Sequence, residues 1–319
     1  MITSKWWLAL GAFGVLALGV AACGGDDDGG GGTTPTGLSG DIRIDGSSTV
    51  GPLTERIAED FQKENSDVKV SVGTSGTSGG FEKFCAGETA INDASRAIEA
   101  PEKKACGEGG VDYEEVQVAN DALTVVINPD NPVTCMTVDQ LSSVWNKGST
   151  LDNWDQIKDL DADYSETLDL FGPGTDSGTF DYFTEAINGE EGVQRTDYNN
   201  VGEDDNATVT GVAGSPGGMG YFGFSFYTEN QDQLKALEVD GGDGCVAPSE
   251  ETVQDGSYTP LGRPLFIYPS SEALKDEAVK AFVEYYVDNV NTVASEIGFI
   301  SMTDEQTTES KDEVAKLGG

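Results

Sequence analysis

An alternating strand pattern, a short run of Gly, Ser and Thr, and apolar residues at helical spacing follow one another three times in this chain. The strand patterns cover residues 41–45, 68–72 and 167–171. The Gly/Ser/Thr runs, here called loops 1, 2 and 3, cover residues 46–51, 73–80 and 174–179. The helical patterns begin at Pro52, Phe81 and Phe180. The pattern therefore predicts three strand–loop–helix junctions. Elsewhere it predicts strands at 116–127 and 263–268, a helix at 137–145 with Thr137 as its N-cap, and a loop over the acidic segment 197–208.

Junctions of this kind favour anion binding. The first turn of a helix has backbone N–H groups without intrahelical partners and lies at the positive end of the helix dipole. A Ser or Thr there is also a common N-cap, which explains most single junctions without any ligand. Three junctions in one chain favour one shared anion site, provided that the loops converge. The candidate hydroxyl donors are Ser48, Thr49, Thr77, Ser78, Ser177 and Thr179.

Two charged residues bear on the nature of the anion. Arg96 lies at the end of a strand predicted at 90–98 and is the candidate charged donor, with a surface salt bridge as the alternative. Asp176 places a carboxylate inside loop 3. It would repel sulfate but could accept the proton of hydrogen phosphate. The alternative is that Asp176 merely caps the helix.

Length and composition limit the class of protein. A chain of 319 residues is long enough for about two domains, and its strand–helix alternation predicts an α/β fold. Lys and Arg total 18 against 57 Asp and Glu, a net charge of −39. Nucleic acid is therefore excluded as a partner, because phosphate backbones require a basic surface.

Several enzyme classes lack their essential residues. Residues 76–80 match the G-x-S-x-G pattern, but the chain has no His, which excludes a Ser-His-Asp triad. Pro52 stands where a nucleotide-binding phosphate loop has Lys. There is no Cys-x-x-Cys metal spacing and no cofactor motif. We therefore expect binding without reaction, no cofactor and no metal.

The N-terminus has the features of a targeting segment. Residues 1–22 combine Lys5 with a short apolar run, and the run ends in Val-Ala-Ala before Cys23. This resembles a bacterial lipoprotein cleavage site, which implies lipidation of Cys23 and a membrane anchor. An ordinary signal peptide is the alternative, and both export the chain. Residues 23–40 are rich in Gly, Asp and Thr and are predicted to be a flexible tether.

Four further cysteines fit two disulfides in an exported protein. They allow three connectivities. We favour a local pair, Cys85–Cys106, and a long-range pair, Cys135–Cys245.

The three loops resemble the ligand loops of the phosphate-binding proteins of bacterial phosphate ABC transporters, the PstS family. The similar stretches are Asp45-Gly-Ser-Ser-Thr-Val-Gly-Pro52, Gly73-Thr-Ser-Gly-Thr-Ser-Gly-Gly80 and Gly172-Pro-Gly-Thr-Asp-Ser-Gly-Thr179. Supporting stretches are Asp93-Ala-Ser-Arg96, Asn120-Asp-Ala-Leu123, Arg263-Pro-Leu-Phe266 and Phe282-Val-Glu-Tyr-Tyr286.

The resemblance implies a type II periplasmic-binding-protein fold, with two α/β lobes around a central ligand cleft. We expect lobe 1 at 41–122 plus 262–319 and lobe 2 at 123–261. The implied phosphate ligands are Thr49, the N–H of Val50, Thr77, Ser177, Gly178 and Thr179. The chain departs from the best-known members at Arg96, where those have Asp, and at Pro173, where those have Arg.

We therefore expect a monomeric lipoprotein on the outer face of the cytoplasmic membrane that binds inorganic phosphate and delivers it to an ABC permease. One alternative is a binder of another tetrahedral oxyanion such as sulfate. Another, in a different class, is a secreted phosphoesterase.

Overall fold

A computed structural model describes residues 37–316, and within that range the chain forms twelve β-strands and ten α-helices. The strands are β1 (Gly40–Gly46), β2 (Val68–Val72), β3 (Ile91–Ala94), β4 (Val116–Ile127), β5 (Cys135–Thr137), β6 (Asp169–Gly172), β7 (Asn199–Asn200), β8 (Gly218–Gly223), β9 (Lys235–Ala236), β10 (Glu238–Asp240), β11 (Cys245–Val246) and β12 (Gly262–Pro269). The helices are α1 (Gly51–Glu64), α2 (Thr77–Cys85), α3 (Ala100–Gly109), α4 (Val138–Trp145), α5 (Gly178–Asn188), α6 (Asp205–Gly214), α7 (Phe224–Glu229), α8 (Glu250–Gln254), α9 (Glu277–Glu296) and α10 (Asp304–Lys316). The predicted signal peptide, Cys23 and most of the tether lie outside the described residues.

A mixed sheet runs through the molecule in the order β2-β1-β3-β12-β4-β8-β6-β7, with β9 also paired to β4. Strands β1, β2 and β3 are mutually parallel, as are β6, β7 and β8. The long strand β4 joins the two parallel groups and is antiparallel to its neighbours. A smaller sheet has the order β11-β10-β5.

Strand β4 changes partners half-way along its length. Its first half, up to Ala122, pairs with β12, and its second half, from Leu123, pairs with β8. The strand therefore belongs to both halves of the sheet, and β12 returns the chain beside it.

The buried apolar residues form two main cores on either side of this change. One core contains residues before Ala122 and after Leu261, with Phe61 of α1 packed edge-to-face on Phe282 of α9 at 5.3 Å between ring centroids. The other contains residues between these two positions together with Ile300, and Phe183 stacks on Tyr221 at 3.7 Å within it. The predicted α/β fold is confirmed, and the exact lobe boundaries stay a prediction.

The structure corrects three local predictions. Helix α2 begins at Thr77 rather than Phe81, because Gly76, with φ of 80°, allows the chain to turn into the helix earlier. The strand predicted at 90–98 ends at Ala94, and α3 follows. The acidic segment 197–208 was predicted as a loop, but α6 begins inside it because Asp204 accepts a hydrogen bond from the Ala207 N–H.

Both predicted disulfides are present: Cys85–Cys106 joins α2 to α3, and Cys135–Cys245 joins β5 to β11. Between residues 37 and 316, no helix is both long and apolar enough to cross a bilayer.

Asp93, on β3, is fully buried. Neither carboxyl oxygen makes a well-formed hydrogen bond to any residue in the described range, although the Thr54 hydroxyl is near enough to favour the charged form. Burial, aided by the negative charges of Asp45 and Glu55, raises the pKa of Asp93 to about 8. Tyr286 also faces this carboxyl group. The folded protein therefore holds Asp93 largely protonated at neutral pH.

We predict that Asp93→Asn flattens the dependence of stability on pH. The folded state retains a proton that the unfolded chain loses above pH ~4, so the wild type loses stability as pH rises from ~4 to ~8. The difference in the free energy of unfolding, Asp93→Asn minus wild type, should therefore increase with pH by up to ~1.4 kcal/mol per pH unit in that window. Urea unfolding at pH 5, 6, 7 and 8 measures this.

Asp41→Asn, which changes an exposed acid on β1, is the control and should follow the wild-type pH dependence. Parallel stability curves for Asp93→Asn and wild type would show that Asp93 is ionised in the folded protein.

Candidate anion-binding site

Loops 1 and 2 lie at one edge of the sheet. They follow β1 and β2, which are parallel neighbours, and so both leave the carboxyl end of that sheet. Strand β3 pairs in parallel on the other side of β1 and brings Ser95 and Arg96 to the same edge. This edge is where open α/β sheets bind ligands.

The helices that follow the three loops lack the side-chain caps found elsewhere in the chain. No side-chain cap is made at Val50 before α1, at Gly76 before α2, or at Ser177 before α5. By contrast, α4, α6, α8 and α9 each begin with a side chain that accepts a backbone N–H bond, and these acceptors are Thr137, Asp204, Ser249 and Asp276. Ser177 is therefore not a simple N-cap, and the first turns of α2 and α5 keep N–H groups for another acceptor.

Loop 1 is partly braced from within. The Ser47 hydroxyl oxygen accepts from the N–H groups of Thr49 and Val50 at 3.2 and 3.4 Å. Val50 is buried, Thr49 is half-buried and Ser48 is exposed. This bracing fixes the tip of the loop that carries two of the candidate hydroxyls.

Asp45 ties loop 2 to the end of β1. Its Oδ1 accepts from the backbone N–H and hydroxyl of Ser75 at 3.0 and 2.6 Å, and its Oδ2 accepts from Lys83 Nζ at 2.5 Å. Burial acts to raise the pKa of Asp45, but the hydrogen bonds from Lys83 and Ser75 outweigh it and hold the pKa below its usual value. Asp45 is thus a carboxylate that positions the loops.

Loop 3 meets loop 1 at Gly178. A Cβ atom placed on Gly178 would lie 3.8 Å from Thr49 Oγ1 and 3.9 Å from Ser48 Oγ. Loop 3 belongs to the half of the sheet that contains β6, whereas loop 1 belongs to the half that contains β1. Two of the three predicted junctions therefore face each other where the two halves meet.

The second junction is linked to Ser95 and Arg96. The Thr77 hydroxyl oxygen accepts from the Ser95 N–H at 3.1 Å, and Arg96 Nη2 donates to Ser78 Oγ at 2.9 Å. Arg96 also binds Glu102 through two nitrogens, at 2.7 and 2.9 Å. These bonds to Glu102 are the main reason why the pKa of Arg96 is raised, and Glu99 and Glu185 add to it. Glu185 belongs to α5, the helix that follows loop 3.

The remaining predicted residues of loop 3 differ in exposure. Ser177 is buried and Thr179 is half-buried. Asp176 is exposed, and its carboxylate makes no hydrogen bond to any residue within 37–316. No cluster of three or more Cys, Asp or Glu suited to a metal ion occurs in that range either.

A second arginine, Arg263, lies where the halves meet. Its Nη2 donates to Thr49 Oγ1 at 3.0 Å, and both Nε and Nη2 lie 3.3 Å from Asp121 Oδ2. Its guanidinium carbon stands 3.3 Å from the centre of the Tyr182 ring. Arg263 on β12 therefore contacts loop 1, β4 and α5 at once.

A family model and several known proteins match this chain. Residues 31–290 match the PBP superfamily domain. The chain is 37% identical to the phosphate-binding protein PstS of Staphylococcus saprophyticus over 324 residues, which cover 99% of this chain and 96% of that protein. It is 46% identical to Protein SphX of Synechococcus elongatus over 264 residues, covering 82% of this chain and 77% of SphX.

The chain belongs to the PstS family of the PBP superfamily. A crystal structure of a possible phosphate binding protein from Planctomyces limnophilus superposes with a TM-score of 0.83 at 40% identity, covering 88% of this chain and 99% of that one. The resemblance drawn from the loops and the type II periplasmic-binding-protein fold are both confirmed.

Arg263 and Asp121 are not among the site residues predicted from the sequence, although both lie in stretches that carry the PstS resemblance. The available signal was their opposite charge within two predicted strands. Arg263 and Asp121 stand directly opposite each other in the antiparallel pairing of β12 with β4. That register could not be derived before the pairing of the two strands was known.

Gly80 on α2 allows the second junction to approach the first. A Cβ atom at Gly80 would lie 2.5 Å from Gly46 Cα and 2.1 Å from Asn92 Oδ1, closer than any side chain tolerates. We predict that Gly80→Ala lowers the free energy of unfolding by about 1–3 kcal/mol, because α2 must move away from β1. Urea unfolding measures the change.

The matched control is Gly107→Ala on α3, where a Cβ atom would meet nothing within 4 Å. It should leave stability unchanged or raise it by up to ~1 kcal/mol, since Ala is the better helix former. A Gly80→Ala variant as stable as the Gly107→Ala variant would contradict the close approach.

Proposed function

We propose that this protein binds inorganic phosphate outside the cytoplasm and delivers it to the permease of an ABC importer. The observation that carries the proposal is the approach of Gly178 in loop 3 to Thr49 and Ser48 in loop 1, beside helix starts without side-chain caps. Backbone N–H groups and hydroxyls directed at one point suit a dehydrated tetrahedral oxyanion. The similarity to the phosphate-binding protein PstS of Staphylococcus saprophyticus supports phosphate as that anion.

The proposed ligand set follows the junctions. Hydroxyls and backbone N–H groups are the donors, with Arg96 as a cation beside Ser78 and with Asp176 as the acceptor for the phosphate proton. The residues are Ser48, Thr49, Val50, Thr77, Ser78, Arg96, Asp176, Ser177, Gly178 and Thr179. Because the N–H groups of Thr49 and Val50 contact Ser47, a bound anion would share them with that hydroxyl.

Delivery requires the site to open and close. The two apolar cores are connected through β4 and β12, and loops 1 and 3 belong to different cores. Rotation of one core against the other would separate Gly178 from Thr49 and release the anion. We propose the lobes 41–122 plus 262–319 and 123–261 as the moving bodies.

The proposed location is the outer face of the cytoplasmic membrane, with the chain anchored through a lipid on Cys23 and otherwise monomeric. The support is the targeting pattern of residues 1–22. Two disulfides agree with an oxidising compartment outside the cytoplasm.

We propose that the protein is not an enzyme. A phosphoesterase on the same scaffold would need a nucleophile with a general base or a metal-bound water. The chain contains no His. Release of a chromophore from a phosphate ester by the purified protein would overturn the binding-only proposal.

We predict that phosphate binds and that sulfate binds at least ~100-fold more weakly, because sulfate has no proton to donate to the Asp176 carboxylate. Asp176→Asn should weaken phosphate binding by about tenfold and narrow the difference between phosphate and sulfate. Titration calorimetry with both anions at pH 7 measures the two affinities.

Asp163→Asn, which changes an exposed acid outside the three loops, is the control and should retain wild-type selectivity. Tight sulfate binding by the wild type would contradict specificity for phosphate and would indicate a site for tetrahedral oxyanions in general. Unchanged selectivity in Asp176→Asn would remove Asp176 from the ligand set.

A further inference from the structure

We propose that Arg263 is the main countercharge of the bound anion and that Asp121 and Tyr182 position its guanidinium. This inference rests on the proposed phosphate-binding function and adds a specificity-determining residue to it. Arg263 lies outside the three Gly/Ser/Thr loops, on the strand that returns the chain between the two cores.

The contact with Thr49 places Arg263 at the site. Thr49 Oγ1 is both the acceptor of the Arg263 Nη2 bond and the atom that a Cβ placed on Gly178 of loop 3 would approach to 3.8 Å. The guanidinium therefore borders the point where loops 1 and 3 meet. Its side chain is only 12% exposed, so its charge is little screened by water.

Arg263 keeps donor capacity that an anion can use. Its contacts with Asp121 go to a single oxygen, Oδ2, at the long distance of 3.3 Å. Within residues 37–316, Nη1 makes no hydrogen bond. A guanidinium has five N–H donors in a planar fork, and the Nη1 pair remains for oxygens of a ligand.

Arg96 is engaged more completely. Glu102 binds it through both carboxylate oxygens, at 2.7 and 2.9 Å, and Glu99 lies 3.5 Å away. Its side chain is 26% exposed, about twice as much as that of Arg263. Two carboxylates, Glu102 and Glu99, pair with Arg96, whereas Asp121 alone pairs with Arg263. The stronger field at the site thus comes from Arg263.

Tyr182 connects this cation to loop 3. Tyr182 lies on α5, the helix that follows loop 3, and its hydroxyl donates to the Pro260 carbonyl oxygen at 3.0 Å. Its ring supports the guanidinium face at 3.3 Å, a cation–π contact in a desolvated position. The guanidinium plane is therefore held from α5 and from β4 at the same time.

Titration calorimetry with inorganic phosphate at pH 7 tests the inference. Arg263→Gln should weaken binding by about 10- to 100-fold, and Arg96→Gln should weaken it less. Arg263→Lys keeps the charge but loses the fork and the stacking, so its affinity should lie between those of wild type and Arg263→Gln. Arg43→Gln, which changes an exposed arginine on β1, is the matched control and should bind as wild type does.

The double variant Asp121→Asn/Arg263→Gln is the control for misfolding of Arg263→Gln, because it leaves no unpaired buried carboxylate. This double variant should unfold cooperatively and still show at least ~tenfold weaker binding. Affinity within about threefold of wild type in the single or the double variant, or equal losses in Arg263→Gln and Arg263→Lys, would overturn the countercharge role. A wild type that binds no phosphate would overturn the proposed function itself, and this inference with it.

Discussion

The proposed anion site depends on backbone N–H groups at the starts of α2 and α5 that no side chain caps. Thr137, Asp204, Ser249 and Asp276 cap other helices of the chain, yet α2 and α5 begin without a side-chain cap. A chain with a net charge of −39 repels anions at long range, so an anion must be held by dipoles and donors at short range. The packing of Gly80 against Gly46 and the hydrogen bonds accepted by Asp45 hold the start of α2 beside loop 1.

The elements that were predicted correctly are those that interactions between residues close in the sequence determine. Strand β4 was predicted with its observed ends, and the helix capped by Thr137 was placed correctly, because each has an uninterrupted periodic pattern. Helices α3 and α6 were missed because neither has a strong apolar face. Helix α3 buries only Cys106, and α6 owes its start to the Asp204 cap within an acidic stretch.

The candidate site was predictable to the extent that its residues lie in loops with a recognisable composition. The approach of Gly178 to Thr49 fits the expected convergence of loops 1 and 3. Arg263 and Asp121 were missed because their importance comes from strand register and from contact with Tyr182, which is distant from both in the chain. Arg96 also acquires partners, Glu102 and Ser78, that sequence spacing does not reveal.

The hydrogen bonds of strand β4 limit how the two halves of the sheet can move relative to each other. Since its two ends are hydrogen-bonded into different halves of the sheet, neither half can slide along the other without breaking backbone bonds. Torsion of the β4–β12 ribbon near Ala122 and Gly262, where β4 changes partners, is the movement that the proposed opening would use. Arg263 is the residue after Gly262, so in the proposed opening the cation would lie close to the torsion axis and would move less than the loops on either side.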